Sequence, residues 1–139
     1  MKIPLAEHLK DTDWAYLAGL IEADGCISLI IGSNGYPHAR IQFANQSLAI
    51  HGYIALKFGA HQIATHNKSE CFTTHWSDSL TIKLVLEGII PFLISKKEEA
   101  SLLLEYVNGN NGPGKKNSVP LERTLEIVGR IKVLRKERP

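Results

Sequence analysis

Asp13-Trp-Ala-Tyr-Leu-Ala-Gly-Leu-Ile-Glu-Ala-Asp-Gly25 carries two different helical faces in one segment. Trp14, Leu17 and Ile21, with Leu20 alongside, recur at helical spacing and form an apolar stripe fit for a core. Ala15, Gly19 and Ala23 fall at i, i+4 and i+8 on another face, where small residues let a second backbone come close. Thr12 or Asp13 suits the start, accepting from backbone N–H groups that lack helical partners, and Gly25 suits the end. Glu22 and Asp24 stand in the last turn, at the negative end of the helix dipole, a placement that costs roughly 0.3–1 kcal/mol unless something compensates.

After this helix the hydrophobic period changes. Cys26 to Gly32 reads as a strand, Ser33-Asn-Gly-Tyr-Pro37 as a turn, and His38 to Phe43 as a second strand alternating polar and apolar. Ser47 to Phe58 is a helix with Leu48, Ile50, Ile54 and Phe58 on its buried side, closed by Gly59. Strands over 62–66 and 71–77 follow, turning through Asn67 to Glu70. Ser79 to Leu86 starts a third helix punctuated by Gly88 and Pro91, and Lys96 to Val107 makes a fourth. Residues 108–119 read as a flexible loop, and 120–139 as a basic amphipathic helix burying Leu121, Leu125, Val128, Ile131 and Leu134. The order is α-β-β-α-β-β-α with further C-terminal helix. It gives a single α+β domain over residues 1–139 with a four-stranded antiparallel sheet, residues 1–12 forming its N-terminal extension.

Such a sheet has helices on one face only, so its other face must be polar or occupied. Pleat parity sends Ile27, Leu29, Ile31, Ala39, Ile41 and Phe43 to the helices. It sends Ser28, Ile30, Gly32, His38, Arg40, Gln42, Gln62, Ala64, His66, Thr73 and His75 outward, with Asn34 and Lys68 near the turns. This outer face is rich in donors and nearly free of carboxylates, which suits base edges and phosphates. The same pattern also fits an ordinary solvated face. Lys132, Arg135 and Lys136 add a cationic end to the last helix, fit to grip phosphate without reading sequence.

Composition narrows the classes. At 44% hydrophobic and 22% charged, with 16 basic against 14 acidic residues, the chain is globular and only mildly basic. Charge therefore permits a nucleic-acid partner without demanding one. Two cysteines, Cys26 and Cys71, make neither a disulfide framework nor a zinc site, and read as buried residues of a reducing compartment. No apolar run reaches the roughly 20 residues of a membrane span. His8, Lys10 and Asp11 stand where a secretory signal needs an apolar core, so an intracellular location is expected.

Leu17-Ala-Gly-Leu-Ile-Glu-Ala-Asp-Gly25 resembles the signature of the LAGLIDADG homing endonucleases, differing at one of nine positions, where Glu22 replaces Asp. Ile90-Pro-Phe-Leu-Ile-Ser-Lys96-Lys-Glu-Glu-Ala100 is similar to a second, weaker family marker. The resemblance implies the family's αββαββα core with a saddle-shaped sheet, and cleavage of a long double-stranded DNA site that leaves short 3′ overhangs. One motif implies a homodimer packed through Ala15, Gly19 and Ala23. The family's metal ligand falls on Asp24, assisted by the Ala23 carbonyl. Mg2+ is the implied cofactor, with Mn2+ able to substitute and Ca2+ able to bind without supporting cleavage. The polar residue that orders water falls on Asn45 or Gln46, and the catalytic lysine on Lys96, with Lys97 as the alternative. Relatives that assist intron RNA splicing, or that bind DNA without cutting it, keep those two functions open.

Overall fold

The computed structural model describes residues 8–63, 71–112 and 114–137. Helix α1 (Asp11–Asp24) leads into β1 (Gly25–Ile31) and β2 (Pro37–Asn45), followed by α2 (Leu48–Phe58). Strands β3 (His61–Ile63) and β4 (Phe72–Trp76) precede α3 (Ser79–Ile89) and a single 3-10 turn at Ile90–Phe92. Helices α4 (Lys97–Asn108) and α5 (Leu121–Glu137) complete the chain. The four strands form one antiparallel sheet in the order β1-β2-β4-β3. The expected α+β order holds.

The sheet's inner face carries Ile27, Leu29, Ile41, Phe43 and Trp76, all at most 2% exposed. The helices close over it with Trp14, Leu17, Ile21, Ile54, Phe58, Ile82, Val85, Leu86, Ile89, Leu103, Ile127 and Ile131. Trp14 packs on Phe58 with ring centroids 5.3 Å apart, and the Trp76 indole N–H donates to the Phe58 carbonyl at 3.0 Å. Among the described residues no helix is long and apolar enough to cross a membrane.

Several local expectations are corrected. Helix α1 starts at Asp11, with Lys10 at its cap, because Asp13 reaches back to accept the Lys10 N–H at 2.9 Å from inside the first turn. Gly88 does not punctuate α3. It lies inside that helix, where a Cβ would stand 2.3 Å from the Trp14 ring, so the glycine is a packing requirement. Leu48 is 56% exposed, and its expected place in the core is taken by His51. On α5 the buried residues are Thr124, Ile127 and Ile131, while Leu121 and Leu125 are 69% and 51% exposed, because the helix turns a different face to its neighbours. Ile31, at the last position of β1, is 39% exposed. Cys26 and Cys71 are free thiols and half-buried rather than buried.

The expected closure of α2 at Gly59 is met, while Ser47, expected as the first residue of that helix, stands just before it as the cap. Ser47 Oγ accepts the Ile50 N–H at 3.2 Å, and Gly59 closes α2 in the left-handed conformation at φ 68°. The loop after α4 is fastened across its base, where Ser118 N–H donates to the Gly109 carbonyl at 2.8 Å and Asn117 Nδ2 donates to the Tyr106 carbonyl at 3.0 Å.

Candidate functional site

The C-terminal end of α1 and the start of α4 are tied to one another by two side chains. Glu22 Oε2 accepts the N–H groups of Ile94 at 2.7 Å and Ser95 at 2.9 Å. Its Oε1 accepts the Ser95 hydroxyl at 3.1 Å and the Lys96 N–H at 3.0 Å. Partial burial works against charge on Glu22, but these donors outweigh it and hold the carboxyl below the usual carboxylate range. In return, Lys96 Nζ donates to the carbonyls of Ile21 at 2.7 Å, Glu22 at 3.1 Å and Gly25 at 2.7 Å. The ammonium thus sits where the last carbonyls of α1 gather partial negative charge. It compensates the unfavourable placement of carboxylates at that helix end.

Asp24 is exposed beside this clasp, and Lys97 is exposed at the first position of α4. Among the described residues no three His, Cys, Asp or Glu side chains converge. A cation at Asp24 would therefore draw its remaining ligands from the Ala23 carbonyl, from water or phosphate, or from another chain.

Asn45 is the last residue of β2. The antiparallel register sets Gly25 opposite Phe43, so Asn45 lies at the same end of the sheet as Asp24. Its Oδ1 accepts the Ser47 N–H at 3.0 Å, and the carboxamide NH2 is its donor group. Gln46 is exposed in the following turn. Sequence reasoning missed His51, which is fully buried, accepts from or donates to Thr74 Oγ1 at 2.6 Å and contacts the Asn45 carbonyl at 3.2 Å through Nε2. A histidine on the inner face of a helix between Ile50 and Ile54 was the available signal.

On the outer sheet face, Ile30, His38 and Arg40 are exposed and Ser28, Gly32 and Gln42 are half-buried, as the pleat predicts. Arg40 Nη1 donates to Gln42 Oε1 at 3.3 Å, and Asn34 Oδ1 lies 3.4 Å from His38 Nε2. His75 of β4 pairs with Gln42 of β2 and is half-buried, whereas Thr73 is only 7% exposed and offers little surface. Gln62 stands opposite Thr74, one register position away from the outward row expected for it. The physical reason is that β3 pairs from His61 onward, which sets His61 and Ile63, not Gln62, opposite His75 and Thr73. Ala64, His66 and Lys68 lie outside the described residues. Lys132, Arg135 and Lys136 are exposed on α5, and Lys132 and Arg135 line a cavity of about 310 Å³ shared with Ser28, Ile30 and Ile31 of β1.

Solved structures similar to this architecture include several homing endonucleases. The homing endonuclease I-CvuI in complex with its target matches 88% of this chain and 96% of its own, at 18% identity and a TM-score of 0.64. The archaeal intron-encoded homing endonuclease I-Vdi141I, complexed with DNA, matches 88% and 98% at 15% identity and a TM-score of 0.60. The LAGLIDADG homing endonuclease I-SmaMI, bound to cleaved DNA, matches 89% of this chain and 43% of its own, at 20% identity and a TM-score of 0.64. The fold is that of the LAGLIDADG homing endonucleases. No protein-family model matches the chain, and no curated protein matches it.

Within the LAGLIDADG fold the signature helix is α1, and its two faces separate cleanly. Trp14, Leu17, Ala18 and Ile21 are buried, while Ala15, Gly19 and Ala23 are exposed. A Cβ added at Gly19 would meet nothing within 4 Å. Tyr16, 45% exposed, continues this surface onto α2 by an edge contact with Tyr53 at 6.0 Å, and Leu56 beyond it is 82% exposed.

Proposed function

We propose that this chain is one subunit of a homodimeric, Mg2+-dependent, site-specific endonuclease acting on long double-stranded DNA. The observation that carries this reading is the exposed Asp24 carboxylate at the end of a helix whose small-residue face is open. Packing two copies of α1 through Ala15, Gly19 and Ala23 would bring two Asp24 carboxylates together, and their repulsion would favour divalent cations between them. The match to 96% of the I-CvuI chain supports a subunit of this size.

Asp24 and the Ala23 carbonyl would hold the cation, hard oxygen donors that suit Mg2+, Mn2+ or Ca2+. Bound there, the metal supplies a Lewis acid and an activated water for phosphodiester hydrolysis. Asn45, its Oδ1 engaged by Ser47, offers amide protons to a phosphate or water oxygen, with Gln46 as the neighbouring alternative. Arg40, Gln42, His38, Ser28 and His75 would read base edges in the major groove, and Lys132, Arg135 and Lys136 would hold phosphates. Cleavage across the minor groove leaves short 3′ overhangs.

The test is selection of cleaved sites from a randomised duplex library with Mg2+, followed by Asp24→Asn on the selected site. Cleavage lost with binding kept within about threefold supports the reading. A wild-type chain that binds a duplex but never cuts it overturns the nuclease and leaves a DNA-binding module.

A further inference from the structure

A circuit of hydrogen bonds closes around the end of β2. Asn45 Oδ1 accepts the Ser47 N–H at 3.0 Å, the Ser47 carbonyl accepts the His51 N–H at 3.2 Å, and His51 Nε2 returns to the Asn45 carbonyl at 3.2 Å. A carbonyl only accepts, so Nε2 carries the ring proton, which leaves Nδ1 to accept from the Thr74 hydroxyl at 2.6 Å. The ring is wholly buried, lying along Phe43 at 4.6 Å between centroids and meeting Phe72 at 5.9 Å. Packing holds its plane and the two hydrogen bonds hold its edge, so the imidazole has one orientation. Asn45 is the last paired residue of β2, opposite Phe72, and a strand end is where a ladder opens most easily.

An aliphatic side chain would fill the space between Phe43 and Phe72 without the cost of burying a polar ring. What histidine adds is direction: a donor aimed at the Asn45 main chain and an acceptor that ties the ring to β4. Asn45 is thereby held from α2 at two points, its carboxamide by Ser47 at the cap and its carbonyl by His51 a turn later. We propose that His51 is a positioning residue for Asn45, acting through the Asn45 main chain rather than by touching DNA, metal or the reacting atoms. This rests on the nuclease reading above and on the place given there to Asn45 beside a phosphate or water oxygen. His51 sets where the carboxamide NH2 stands, and a displacement of about 1 Å in such a group can cost roughly a hundredfold in rate.

The experiment compares wild type, His51→Leu, His51→Gln, Asn45→Ala and the double variant His51→Leu/Asn45→Ala on a duplex obtained by site selection. Single-turnover cleavage is read with Mg2+ at saturating protein, and duplex affinity without metal. Amide exchange is read at Ser47, whose N–H donates to Asn45 Oδ1, against amides of β1, which a general loss of stability would speed equally. His51→Leu should cut about tenfold or more slowly and exchange the Ser47 amide about tenfold faster relative to β1, with affinity within about threefold of wild type. His51→Gln, whose amide supplies a donor and an acceptor, should recover most of the rate. Beside Asn45→Ala, His51→Leu should slow cleavage no further, because the group it positions is gone. If His51→Leu does not fold, Thr74→Val takes its place in the same cycle, since it removes only the hydroxyl that orients the ring. A rate loss that persists undiminished beside Asn45→Ala would overturn the proposal, as would wild-type cleavage by folded His51→Leu. If wild type cuts no duplex, the nuclease reading fails, and Ser47 exchange alone decides whether His51 holds Asn45; exchange unchanged by His51→Leu then overturns that as well.

Discussion

His51 lies flat against Phe43, with ring centroids 4.6 Å apart and planes 6° from parallel. The Asn45 carbonyl can only accept, so His51 Nε2 carries the proton in their 3.2 Å contact, and Nδ1 accepts from the Thr74 hydroxyl at 2.6 Å. One neutral ring thereby joins α2 to the end of β2 that bears Asn45 and to β4.

Burial lowers the pKa of His51 from the usual 6.5, and the Asn45 bond only partly opposes it. The unfolded chain then binds more protons between the two values, so stability rises with pH across that window and is complete above about 6.5. Acidification below 6.5 should lower the unfolding midpoint of wild type, well before Glu22, whose carboxyl titrates lower, loses its charge. His51→Phe should cost about 1–3 kcal/mol at neutral pH by stranding the Asn45 carbonyl and the Thr74 hydroxyl, and should flatten the slope between pH 7 and 5. An identical slope in thermal melts of the variant would rule out His51 as its source.

Gly19→Leu should leave the monomer fold intact, since the site is open to 4 Å and leucine gains about 1 kcal/mol in helix propensity. The bulk should keep two α1 helices apart. Sedimentation should show monomers where wild type sediments as a dimer, and a surviving dimer would move the interface elsewhere.

Gly88→Ala should destabilise the protein by about 1–3 kcal/mol despite the better helix former, because the new methyl meets the Trp14 ring. Chemical denaturation reads this directly; a neutral result would mean that Trp14 has room to withdraw.

Arg40→Ala should relax discrimination at one base position in each half-site by about 1–3 kcal/mol while other positions keep theirs. A profile of tolerated target substitutions would contradict this if it loosened uniformly or not at all.

Much of the architecture is legible in the order of residues alone. Residues 13–25 announce a helix with a core stripe and a small-residue stripe, and both are where the spacing places them. Alternation in β1 and β2 puts Ile27, Leu29, Ile41 and Phe43 inward and His38 and Arg40 outward, because a period of two leaves no other choice when one face is buried. Short β3 defeats the same logic, since three paired residues give periodicity too little length to declare its parity. Helix α5 resists it for a related reason: its apolar residues cover more than one face, so spacing alone does not say which face is covered.

The sequence by itself determined the element order, the two-faced α1 and the polar sheet surface, because these follow from local periods and from a nine-residue motif. Only the tertiary structure decided that Glu22 and Lys96, far apart in the chain, exchange caps across α1 and α4 and leave Asp24 exposed beside them. It alone turned Gly88 from a helix breaker into a seat for Trp14 and put His51 under Asn45. Periodicity reports which face of a segment is apolar. Hydrogen bonds and close packing between distant segments depend on how those faces meet, and that information appears only when the chain has folded.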